Sequence, residues 1–547
     1  MTQITTRVLR ACCALTLAIS VHARATPGQP GTLDTTWGGS GQVVTSVSGN
    51  SYATAMTLQP DGKVLLAGYC TGGGTADFCV TRYDANGTLD LTWNGTGKVI
   101  TAITPGASSA DDFARAIAVQ PDGKVLLAGS CGTETVAPYT GSTHFCAARY
   151  NANGTLDLTW GGTGTVGTIV SSAVMYPDDY ANAVAVQPDG KVLLAGACYD
   201  GTGFANQGNN YNFCAARYNS DGTLDTTWNG SGTVITLIGV NGQAFAATVL
   251  ADGKVLLAGG CAATNKEFCS VRYNANGTLD TTWGGTGKVI TDFASGTDTA
   301  RAIAVQPDGK ILLAGVCSVG EPTSCAIRYD ANGAVNMKTA SGGRGEALAV
   351  AVQADGRILL GGHCGGALCI LRDQASGLPD SSWSGGIFVV NSTAAAMALQ
   401  PDGKILLAGD CLNTTVDFCV ARFDAANCAV DLDGDAKVLA TIDSLMHVRI
   451  ALGLTNAAVT NGINFPVGTP RADWASISNY LVGKTLDVDG DGLTTAAIDS
   501  LIHARVALGM TGTAVTNGIT LPANAARNAW PLIRDYLVTQ CGMSLAQ

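Results

Sequence analysis

Residues 120–129 read QPDGKVLLAG, and this phrase decides the fold because seven versions of it run along the chain. The versions begin at Gln59, Gln120, Gln187, Leu250, Gln306, Gln353 and Gln400. Their shared aspartates are 61, 67, 63, 56, 47 and 47 residues apart, which is typical of repeat arrays and propellers. Proline and glycine on either side of the aspartate predict a tight turn. The apolar run KVLLAG that follows predicts a strand buried on both faces.

Each repeat contains three further segments of strand character. An apolar stretch such as AIAVQ precedes the turn, FCAARY (Phe145 to Tyr150) follows a variable loop, and a tryptophan-containing segment ends the repeat. We name the four strands A to D in chain order. Seven repeats of four strands predict a mainly β fold, a seven-bladed β-propeller.

The ends of the array indicate how the ring closes. The fourth-strand phrase LDxTW includes Trp93, Trp160, Trp228 and Trp283, is degraded near Met337, and reads LPDSSW at Trp383. The seventh repeat lacks it, whereas GTLDTTWGGSGQVV (Gly31 to Val44) stands alone near the start. This arrangement predicts that the N-terminal segment supplies the outer strand of the last blade, which leaves no exposed edge. An open solenoid is the alternative.

The composition excludes several classes of protein. Charged residues make up 13% of the 547 residues and the net charge is −11, which argues against gripping nucleic-acid phosphates and against a polybasic membrane patch. Hydrophobic residues make up 46% of the chain, which argues against disorder.

The N-terminal 25 residues have the pattern of a secretory signal. Arg7 and Arg10 precede an apolar run from Ala11 to Val21, and Ala23-Arg24-Ala25 is an A-x-A cleavage site. A buried helix is the alternative for residues 1–25. Because the run is too short to span a bilayer, which takes about 20 apolar residues, and no later segment approaches that length, we expect no transmembrane anchor. We expect an exported protein, located outside the cell, at its surface or in the periplasm.

The cysteines recur with the repeat. Loss of Cys12 and Cys13 with the signal leaves 16 of 18, and an even number in an exported chain suggests disulfides. Each repeat has one cysteine at the end of strand B and one at the start of strand C, positions that a disulfide can span in antiparallel neighbours. The predicted pairs are Cys70–Cys79, Cys131–Cys146, Cys198–Cys214, Cys261–Cys269, Cys317–Cys325, Cys364–Cys369 and Cys411–Cys419. Zinc binding is the alternative, but it needs four converging ligands at each site.

The phrases AVAVQPDGKILLAG, FxxARYxxxGxLDxTW and GxV resemble the delta-60 repeat family of bacterial exported β-propeller proteins. The resemblance covers roughly residues 31–427. It implies the propeller fold and no assigned reaction.

A different pattern begins near residue 427. DLDGDAKVLATIDSLMHVRIALGL from Asp431 matches DVDGDGLTTAAIDSLIHARVALGM from Asp487 at an offset of 56 residues. D-x-D-x-D before a helix indicates calcium, because alternate residues of a tight loop aim carboxylates at one point and aspartates this close repel without a cation. We predict two calcium ions, held by Asp431, Asp433, Asp435 and Asp443 and by Asp487, Asp489, Asp491 and Asp499. The alternative for Asp443 and Asp499 is that they only cap the helices that follow.

Other features of this segment predict its limits and its contacts. His447 and His503 lie on the two helices, where we expect surface or boundary positions, with metal ligation as the alternative. Cys428 and Cys541 flank the segment and predict an eighth disulfide. The domains are then a signal peptide over 1–25, a propeller over 26–427 and a calcium module over 428–547.

The duplicated loop and helix resemble a dockerin type I module over roughly residues 427–547. The resemblance implies calcium-dependent folding and docking to a partner. The spacing between the loops is longer than in dockerins and the last ligand falls at position 13, so this sequence argues against a cohesin partner.

The sequence contains no catalytic pattern that we recognise. G-x-S-x-G does not occur, and GTGK at Gly95 and Gly285 lacks the upstream glycine of a phosphate-binding loop. The aspartates of the seven turns recur in every repeat, which indicates turn chemistry rather than a single active site.

The loops of the second and third repeats are enlarged on one face. The paired cysteines enclose 8, 14, 15, 7, 7, 4 and 7 residues in repeats one to seven. Aromatic and polar residues in this sector suit a glycan or a protein surface, although variation of solvent-facing loops is the simpler explanation. The candidate ligand-binding residues are Tyr139, His144, Tyr176, Asp178, Asp179, Tyr199, Asp200, Phe204 and Tyr211.

These observations predict an exported noncatalytic binding or scaffold protein in which the calcium module stabilises or attaches the propeller. The alternative is an exported hydrolase or lyase acting on glycans, with Asp111/Asp112 and Asp178/Asp179 as acid and base. A third interpretation is a purely structural protein of the cell surface or matrix.

Overall fold

The computed structural model describes residues 31–72, 74–103, 110–132, 142–171, 178–199, 211–262, 265–293, 296–353, 356–365, 367–380, 383, 386–388, 394–400, 403–412, 414–424, 432, 439–465, 472–481, 486–489, 493–522, 525 and 527–539. Its β-strands form the seven blades of a propeller, and helices follow at the C-terminal end.

The first four blades are antiparallel sheets of four strands with the order A-B-C-D. Blade 1 consists of β2 (Ser51–Leu58), β3 (Val64–Cys70), β4 (Asp77–Tyr83) and β5 (Lys98–Thr101). Blade 2 consists of β6 (Asp112–Val119), β7 (Val125–Gly132), β8 (Thr143–Tyr150) and β9 (Thr165–Thr168). Blade 3 consists of β10 (Asp179–Val186), β11 (Val192–Tyr199), β12 (Tyr211–Tyr218) and β13 (Thr233–Thr236). Blade 4 consists of β14 (Val240–Val249), β15 (Val255–Ala262), β16 (Lys266–Tyr273) and β17 (Lys288–Thr291).

Blades 5 and 6 share one long strand. Blade 5 consists of β18 (Thr299–Val305), β19 (Ile311–Val319), β20 (Glu321–Tyr329) and the first part of β21 (Val335–Val352). Blade 6 consists of the second part of β21, β22 (Ile358–Cys364), β23 (Ala367–Asp373) and β24 (Gly386–Phe388). This is where the sequence phrase is degraded near Met337. The outer strand of blade 5 therefore runs directly into the inner strand of blade 6.

The N-terminal strand closes the ring, as the sequence predicts. Blade 7 consists of β25 (Ala394–Leu399), β26 (Ile405–Leu412), β27 (Val416–Phe423) and, as its outer strand, β1 (Gln42–Thr45). β1 pairs antiparallel with β27, with Gln42 opposite Ala421 and Thr45 opposite Phe418. The Arg422 guanidinium binds the Asp34 carboxylate at 2.6 Å, so a charge pair joins the two ends of the array.

An apolar core fills each junction between neighbouring blades, including the junction of blade 7 with blade 1. At the closing junction, Trp37 and Phe418 are fully buried beside Leu66 of blade 1. Tyrosines of strand C also donate hydrogen bonds to threonines of the preceding blade, as from Tyr150 to Thr101 at 2.8 Å. The ring is thus held by the same contacts at successive junctions.

A buried carboxylate organises the outer half of most blades. In blade 2, Asp157 binds Arg149 at 2.8 Å and Lys124 at 3.1 Å, and the Arg149 guanidinium lies over Trp160. The equivalent carboxylates are Asp90, Asp225, Asp280 and Asp380, and in blade 7 Asp34. In blade 5 the position is Asn336, which accepts a hydrogen bond from Arg328 at 2.8 Å. The aspartate of LDxTW therefore serves a different purpose from the turn aspartate of PDG.

Disulfides join strands B and C in all seven blades. The structure pairs Cys70–Cys79, Cys131–Cys146, Cys198–Cys214, Cys261–Cys269, Cys317–Cys325, Cys364–Cys369 and Cys411–Cys419. These are the seven pairs that the repeat predicts. Cys428 and Cys541 lie outside the described residues, so the eighth pair stays a prediction.

The C-terminal segment contains two similar groups of helices. The first copy consists of α1 (Asp443–Ala451), α2 (Ala457–Thr460) and α3 (Trp474–Leu481), and the second of α4 (Asp499–Ala507), α5 (Thr513–Thr516) and α6 (Trp530–Thr539). Each copy has its own apolar core, around Met446 in the first and Ile502 in the second. None of the helices among the described residues has both the length and the apolar character needed to cross a membrane.

The two histidines of this segment are buried, and our expectation of surface positions is wrong. The rings of His447 and His503 stack with centroids 4.7 Å apart. Nδ1 of His447 lies 2.8 Å from the Ser500 hydroxyl, and Nδ1 of His503 lies 2.8 Å from the Ser444 hydroxyl. The reciprocal contacts show that α1 and α4 pack against each other through the duplicated residues, which a pattern within one helix does not reveal.

Candidate functional site

The inner strands of all seven blades carry a β-bulge at the same position. In blade 2, for example, the register with β7 shifts between Ala114 and Ala116. A bulge leaves one extra residue outside the ladder, and these residues are Thr54, Arg115, Asn182, Phe245, Arg301, Leu348 and Ala395. Thr54 and Asn182 donate hydrogen bonds to carbonyls of the next inner strand, at 2.8 and 2.9 Å. The bulges therefore direct side chains around the centre of the ring.

Aromatic side chains form a continuous arc beside these bulges in blades 1 to 3. The Tyr52 and Tyr69 rings stack at 4.8 Å, and Phe113 meets Tyr69 edge-on at 4.8 Å. In blade 3, the Tyr211 ring lies 6.0 Å from Tyr180 and 6.1 Å from Tyr199. We call these six residues the aromatic arc. All six are half-buried, so the rings present faces or edges to solvent.

Arg115 joins the two parts of the aromatic arc. Its guanidinium carbon lies 6.0 Å from the centre of the Phe113 ring and 5.6 Å from that of Tyr180. The side chain is exposed, so one charged donor remains available in the middle of the aromatic surface. A cation between two rings is held by their negative faces.

The opposite side of the ring carries charged groups at corresponding positions. Arg301 donates a hydrogen bond from Nε to Glu346 at 2.8 Å and lies over the Phe245 ring at 4.2 Å. Glu346 is opposite His363 in the register of β21 and β22. Burial lowers the pKa of His363, although the Glu346 charge opposes the shift. His363 is therefore held towards its neutral form.

Tyr69 of the aromatic arc is affected by charged residues of both neighbouring blades, 2 and 7. Burial raises the pKa of Tyr69, Tyr52 and the Asp410 charge raise it further, and Arg115 opposes them. Asp410 is a buried residue of blade 7, in the strand position that Tyr69 occupies in blade 1, since Asp410 is opposite Phe418 and Tyr69 is opposite Phe78. An aromatic sector and a charged sector thus lie around one centre.

The structure places two of the predicted ligand-binding residues in the aromatic arc, namely Tyr199 and Tyr211. Asp178 is half-buried and accepts a hydrogen bond from the Thr143 hydroxyl at 3.4 Å. His144 is half-buried on β8, where burial lowers its pKa. Tyr139, Tyr176, Asp200 and Phe204 lie outside the described residues.

Asp179 is an internal residue of the scaffold. It is fully buried and its carboxylate accepts hydrogen bonds from Val170 N at 2.7 Å, from Ser171 N at 3.0 Å and from the Ser171 hydroxyl. Burial raises its pKa, against the effect of these hydrogen bonds. Asp112 is equally buried and accepts a hydrogen bond from Ile103 N at 2.8 Å. Both carboxylates hold the loop that precedes their own strand.

The sequence analysis missed Tyr52, Tyr69, Phe113, Arg115 and Tyr180. These residues lie on regular strands, whereas the residues predicted from the sequence lie in or beside the variable loops. A comparison of the repeats column by column contains the signal. Tyr52, Phe113 and Tyr180 share one column, which holds Gln243, Thr299 and Glu346 in blades 4 to 6.

Three of the predicted calcium ligands of the second loop converge. Asp487, Asp489 and Asp499 each offer a carboxylate oxygen, and these oxygens lie within 4.8 Å of one another. Oxygens that share a calcium ion at about 2.4 Å are at most about 4.8 Å apart, so the spacing fits one ion. Asp489 and Asp499 are buried. Carboxylate-only donors suit a hard cation, and Asp491 lies outside the described residues.

Asp499 also organises the backbone of its loop. Its Oδ1 accepts a hydrogen bond from Val488 N at 2.7 Å and its Oδ2 accepts one from Thr495 N at 2.7 Å. Asp443 does the same in the first copy, accepting from Leu432 N at 2.7 Å and from Leu439 N at 2.8 Å. Asp431, Asp433 and Asp435 lie outside the described residues. The Arg527 guanidinium lies 3.8 Å from the Asp487 carboxylate. It is a source of positive charge beside the second loop that does not require a bound ion.

Comparison with known proteins agrees with the propeller fold. Six segments match the family model described as a domain of unknown function (DUF5122) beta-propeller, namely residues 59–92, 120–159, 187–227, 250–282, 306–337 and 400–431. The repeated part of this chain is therefore similar to the DUF5122 beta-propellers. No curated protein matches the chain.

Several solved structures resemble the chain at low sequence identity. The polysaccharide lyase Uly1 is 10% identical, with 70% of this chain and 99% of that chain covered and a TM-score of 0.41. A catalytically inactive virginiamycin B lyase from Staphylococcus aureus with quinupristin is 10% identical, with 70% and 98% covered and a TM-score of 0.40. YCF48 bound to a peptide is 11% identical, with 70% and 96% covered and a TM-score of 0.38.

Proposed function

We propose that this protein is an exported, noncatalytic binding or scaffold protein whose ligand contacts the aromatic arc. The observation that carries the proposal is the set of six half-buried rings bridged by Arg115 across blades 1 to 3. Half-buried rings keep apolar area available to a ligand, and their edges and hydroxyl groups add directional contacts.

A glycan suits this surface best. Sugar rings have apolar faces that stack on aromatic side chains and hydroxyl groups that need polar partners. Arg115, Arg301 and Glu346 supply such partners around the same centre. A protein ligand is the alternative outcome of the test below.

The placement of the candidate catalytic acids supports a noncatalytic role. Asp112 and Asp179 are buried and engaged by main-chain N–H groups, so neither reaches a ligand in the structure. One carboxylate in each of the pairs Asp111/Asp112 and Asp178/Asp179 is therefore buried, and this disfavours their use as the acid and base of a hydrolase or lyase.

The binding test compares variants of the aromatic arc. A glycan array with the mature protein identifies a ligand, and calorimetric titration then gives its affinity. We expect Tyr180→Ala to weaken binding by about 1–2 kcal/mol, because it removes a stacked ring, and we expect Tyr180→Phe to retain binding. Equal binding by wild type and Tyr180→Ala refutes the site. If the protein binds another protein but no glycan, the aromatic arc remains the proposed site and the ligand class changes from glycan to protein.

We further propose that each C-terminal loop binds one calcium ion and that calcium stabilises this segment. The supporting observation is the convergence of Asp487, Asp489 and Asp499. Their mutual repulsion disfavours the folded loop unless positive charge is added, so calcium stabilises the folded form by binding to it.

Scanning calorimetry with calcium and with EDTA tests this proposal. We expect a transition of the C-terminal segment whose midpoint rises with calcium in wild type and rises less in Asp487→Asn/Asp489→Asn, which keeps the ligands of the first loop. The matched control is Asp473→Asn, an exposed aspartate that accepts a hydrogen bond from Ser476 N at 3.0 Å. A wild-type midpoint that is the same in calcium and in EDTA contradicts calcium binding and favours neutralisation by Arg527.

Export rests on the sequence pattern of residues 1–25 and on the seven disulfides. Disulfides persist in oxidising compartments, and the structure forms one in every blade. Detection of the mature N-terminus near Thr26 in an extracellular or periplasmic fraction tests this part.

A further inference from the structure

Three carboxylates converge at the junction of blades 4 and 5, far along the chain from the predicted calcium loops. Glu267 lies on β16 of blade 4, Asp292 follows β17, and Asp298 precedes β18 of blade 5. Each offers one carboxylate oxygen, and the three oxygens lie within 4.8 Å of one another. In the described part of the propeller this is the one group of its kind. Asp298 occupies the repeat position of Asp112 and Asp179, whereas its convergence with Glu267 and Asp292 is particular to this junction among the described residues.

Glu267 is buried with a carboxylate oxygen that lacks a hydrogen bond. The residue is 5% exposed, and among the described residues Oε2 has no hydrogen-bond partner. The main chain of Asn265 donates a hydrogen bond to the carboxylate, so only one of its two oxygens is unsatisfied. Burial raises the pKa of Glu267, and the charges of Asp292 and Asp298 raise it further. Leaving a buried charged acceptor unsatisfied is costly, so this oxygen points to a missing cationic partner.

Asp298 is held rigidly at the same place. It is fully buried, its Oδ2 accepts a hydrogen bond from Phe293 N at 2.8 Å, and its Oδ1 accepts one from Ser318 N at 3.2 Å. Its own N–H donates to Lys266 O at 2.8 Å. These bonds fix the carboxylate of blade 5 against the strand of blade 4 that carries Glu267, as a metal site requires of its ligands.

One basic side chain, Lys338, contacts the backbone of this group and acts on its charge. Lys338 donates a hydrogen bond from Nζ to the carbonyl oxygen of Asp292 at 2.5 Å and lies over the Phe293 ring at 5.8 Å. Its charge lowers the pKa of Glu267 less than burial and the two aspartates raise it. Lys338 therefore offsets only part of the negative charge of the three carboxylates.

We propose that Glu267, Asp292 and Asp298 bind a calcium ion that links blade 4 to blade 5. Three carboxylate oxygens within 4.8 Å match the separation that ligands about 2.4 Å from a shared calcium ion have. Asp292 is exposed, which opens the site to ions and water from solvent. The ion stabilises the propeller by binding only to the folded junction.

Calcium stoichiometry in the full mature chain tests this proposal. Equilibrium dialysis at about 1 mM calcium, a range in which extracellular modules bind, should show one ion fewer for Glu267→Gln than for wild type. The matched control is Glu346→Gln, which removes a carboxylate from another blade and should leave the stoichiometry unchanged. An unchanged stoichiometry in folded Glu267→Gln overturns the proposal.

Two further variants keep the result decisive. Asp292→Asn changes an exposed residue and should leave folding intact, while lowering calcium affinity by on the order of tenfold or more. In Asp487→Asn/Asp489→Asn the ion that depends on Glu267 should persist, which separates this site from the C-terminal loops. If calcium does not shift the unfolding midpoint of the propeller and Glu267→Gln raises that midpoint, the group is an acid cluster that binds no ion.

Discussion

At the scale of single residues, the two aspartates that recur in most repeats have different roles. The turn aspartate Asp122 is exposed and accepts a hydrogen bond from Lys124 N at 3.1 Å, which is the turn chemistry that the sequence indicates. Asp157 is buried between Arg149 and Lys124. Burial acts to raise the pKa of Asp157, but hydrogen bonds from Thr159 and Lys124 and the Arg149 charge lower it to about 2.

Replacing Asp157 should destabilise the propeller far more than replacing Asp122. Asp157→Ala leaves the Arg149 guanidinium buried without its carboxylate, and loss of one partner of a buried ion pair costs about 3–5 kcal/mol. Asp157→Asn should cost less, because Asn336 already accepts the corresponding hydrogen bond from Arg328 in blade 5. Denaturant unfolding measures the differences. Equal losses for Asp157→Ala and the control Asp122→Ala contradict the assignment.

His447 makes the stability of the C-terminal segment depend on pH. Burial lowers its pKa to about 4, although a hydrogen bond to Leu486 O opposes this, whereas the unfolded chain has a pKa near 6.5. Between these values the unfolded state binds more protons, so stability is complete above about pH 6.5 and is lost as pH falls towards 4. The full loss is roughly 3 kcal/mol.

Thermal unfolding from pH 7 to pH 4 checks the sign and the residue. We expect the midpoint of the C-terminal transition to fall with pH in wild type and to fall less in His447→Gln, which cannot protonate. The stacked ring of His503 faces His447, so His503→Gln serves as the companion variant. A wild-type midpoint that is flat or rises on acidification shows that the buried histidine is not the source.

At the scale of elements, the seven hairpins of strands B and C are alike in backbone but differ in the length of their loops. The two cysteines of Cys198–Cys214 are 16 residues apart in the sequence, and those of Cys364–Cys369 are 5 residues apart. The inner strands share the bulge, and the side chain on it differs from blade to blade. The bulge in each inner strand thus determines where a side chain lies, and the residue at that position determines its chemical character.

The longer disulfide loop should contribute more stability. The chain-entropy model gives about 3 kcal/mol for the Cys198–Cys214 loop and about 2 kcal/mol for the Cys364–Cys369 loop. We therefore expect Cys198→Ala/Cys214→Ala to lower the free energy of unfolding more than Cys364→Ala/Cys369→Ala. Denaturant titration of both double variants decides this, and an equal or reversed order argues against an entropic origin.

At the scale of the whole molecule, the N-terminal strand determines whether the ring is closed. β1 pairs with β27, Trp37 is fully buried, and its Nε1 donates a hydrogen bond to Ala85 O of blade 1 at 3.1 Å. Arg422 also binds Asp34, in the segment that precedes this strand. The first described residues therefore stabilise the last blade and its contact with the first.

Deleting residues 31–45 should open the ring. Blade 7 then loses its outer strand and exposes the edge of β27, and an exposed edge promotes association. We expect a lower unfolding midpoint and concentration-dependent aggregation, measured by calorimetry and light scattering. A synthetic peptide of residues 31–45 should restore the midpoint by strand addition, and a peptide carrying Asp34→Ala/Trp37→Ala should not. A deletion variant with an unchanged midpoint contradicts ring closure by this strand.

The sequence by itself determined the parts of this protein that repeat. Seven phrases with alternating turns and apolar runs specify the blades, the displaced LDTTW phrase specifies the closing strand, and the cysteine spacing specifies the disulfides, because each depends on neighbours in the chain or in one hairpin. Tertiary structure alone decided which residues meet across blades. Tyr180 reaches Arg115, Glu267 reaches Asp298, and His447 reaches His503, since these contacts depend on the packing of neighbouring blades or of two copies of a helix, and no local periodicity encodes such distances.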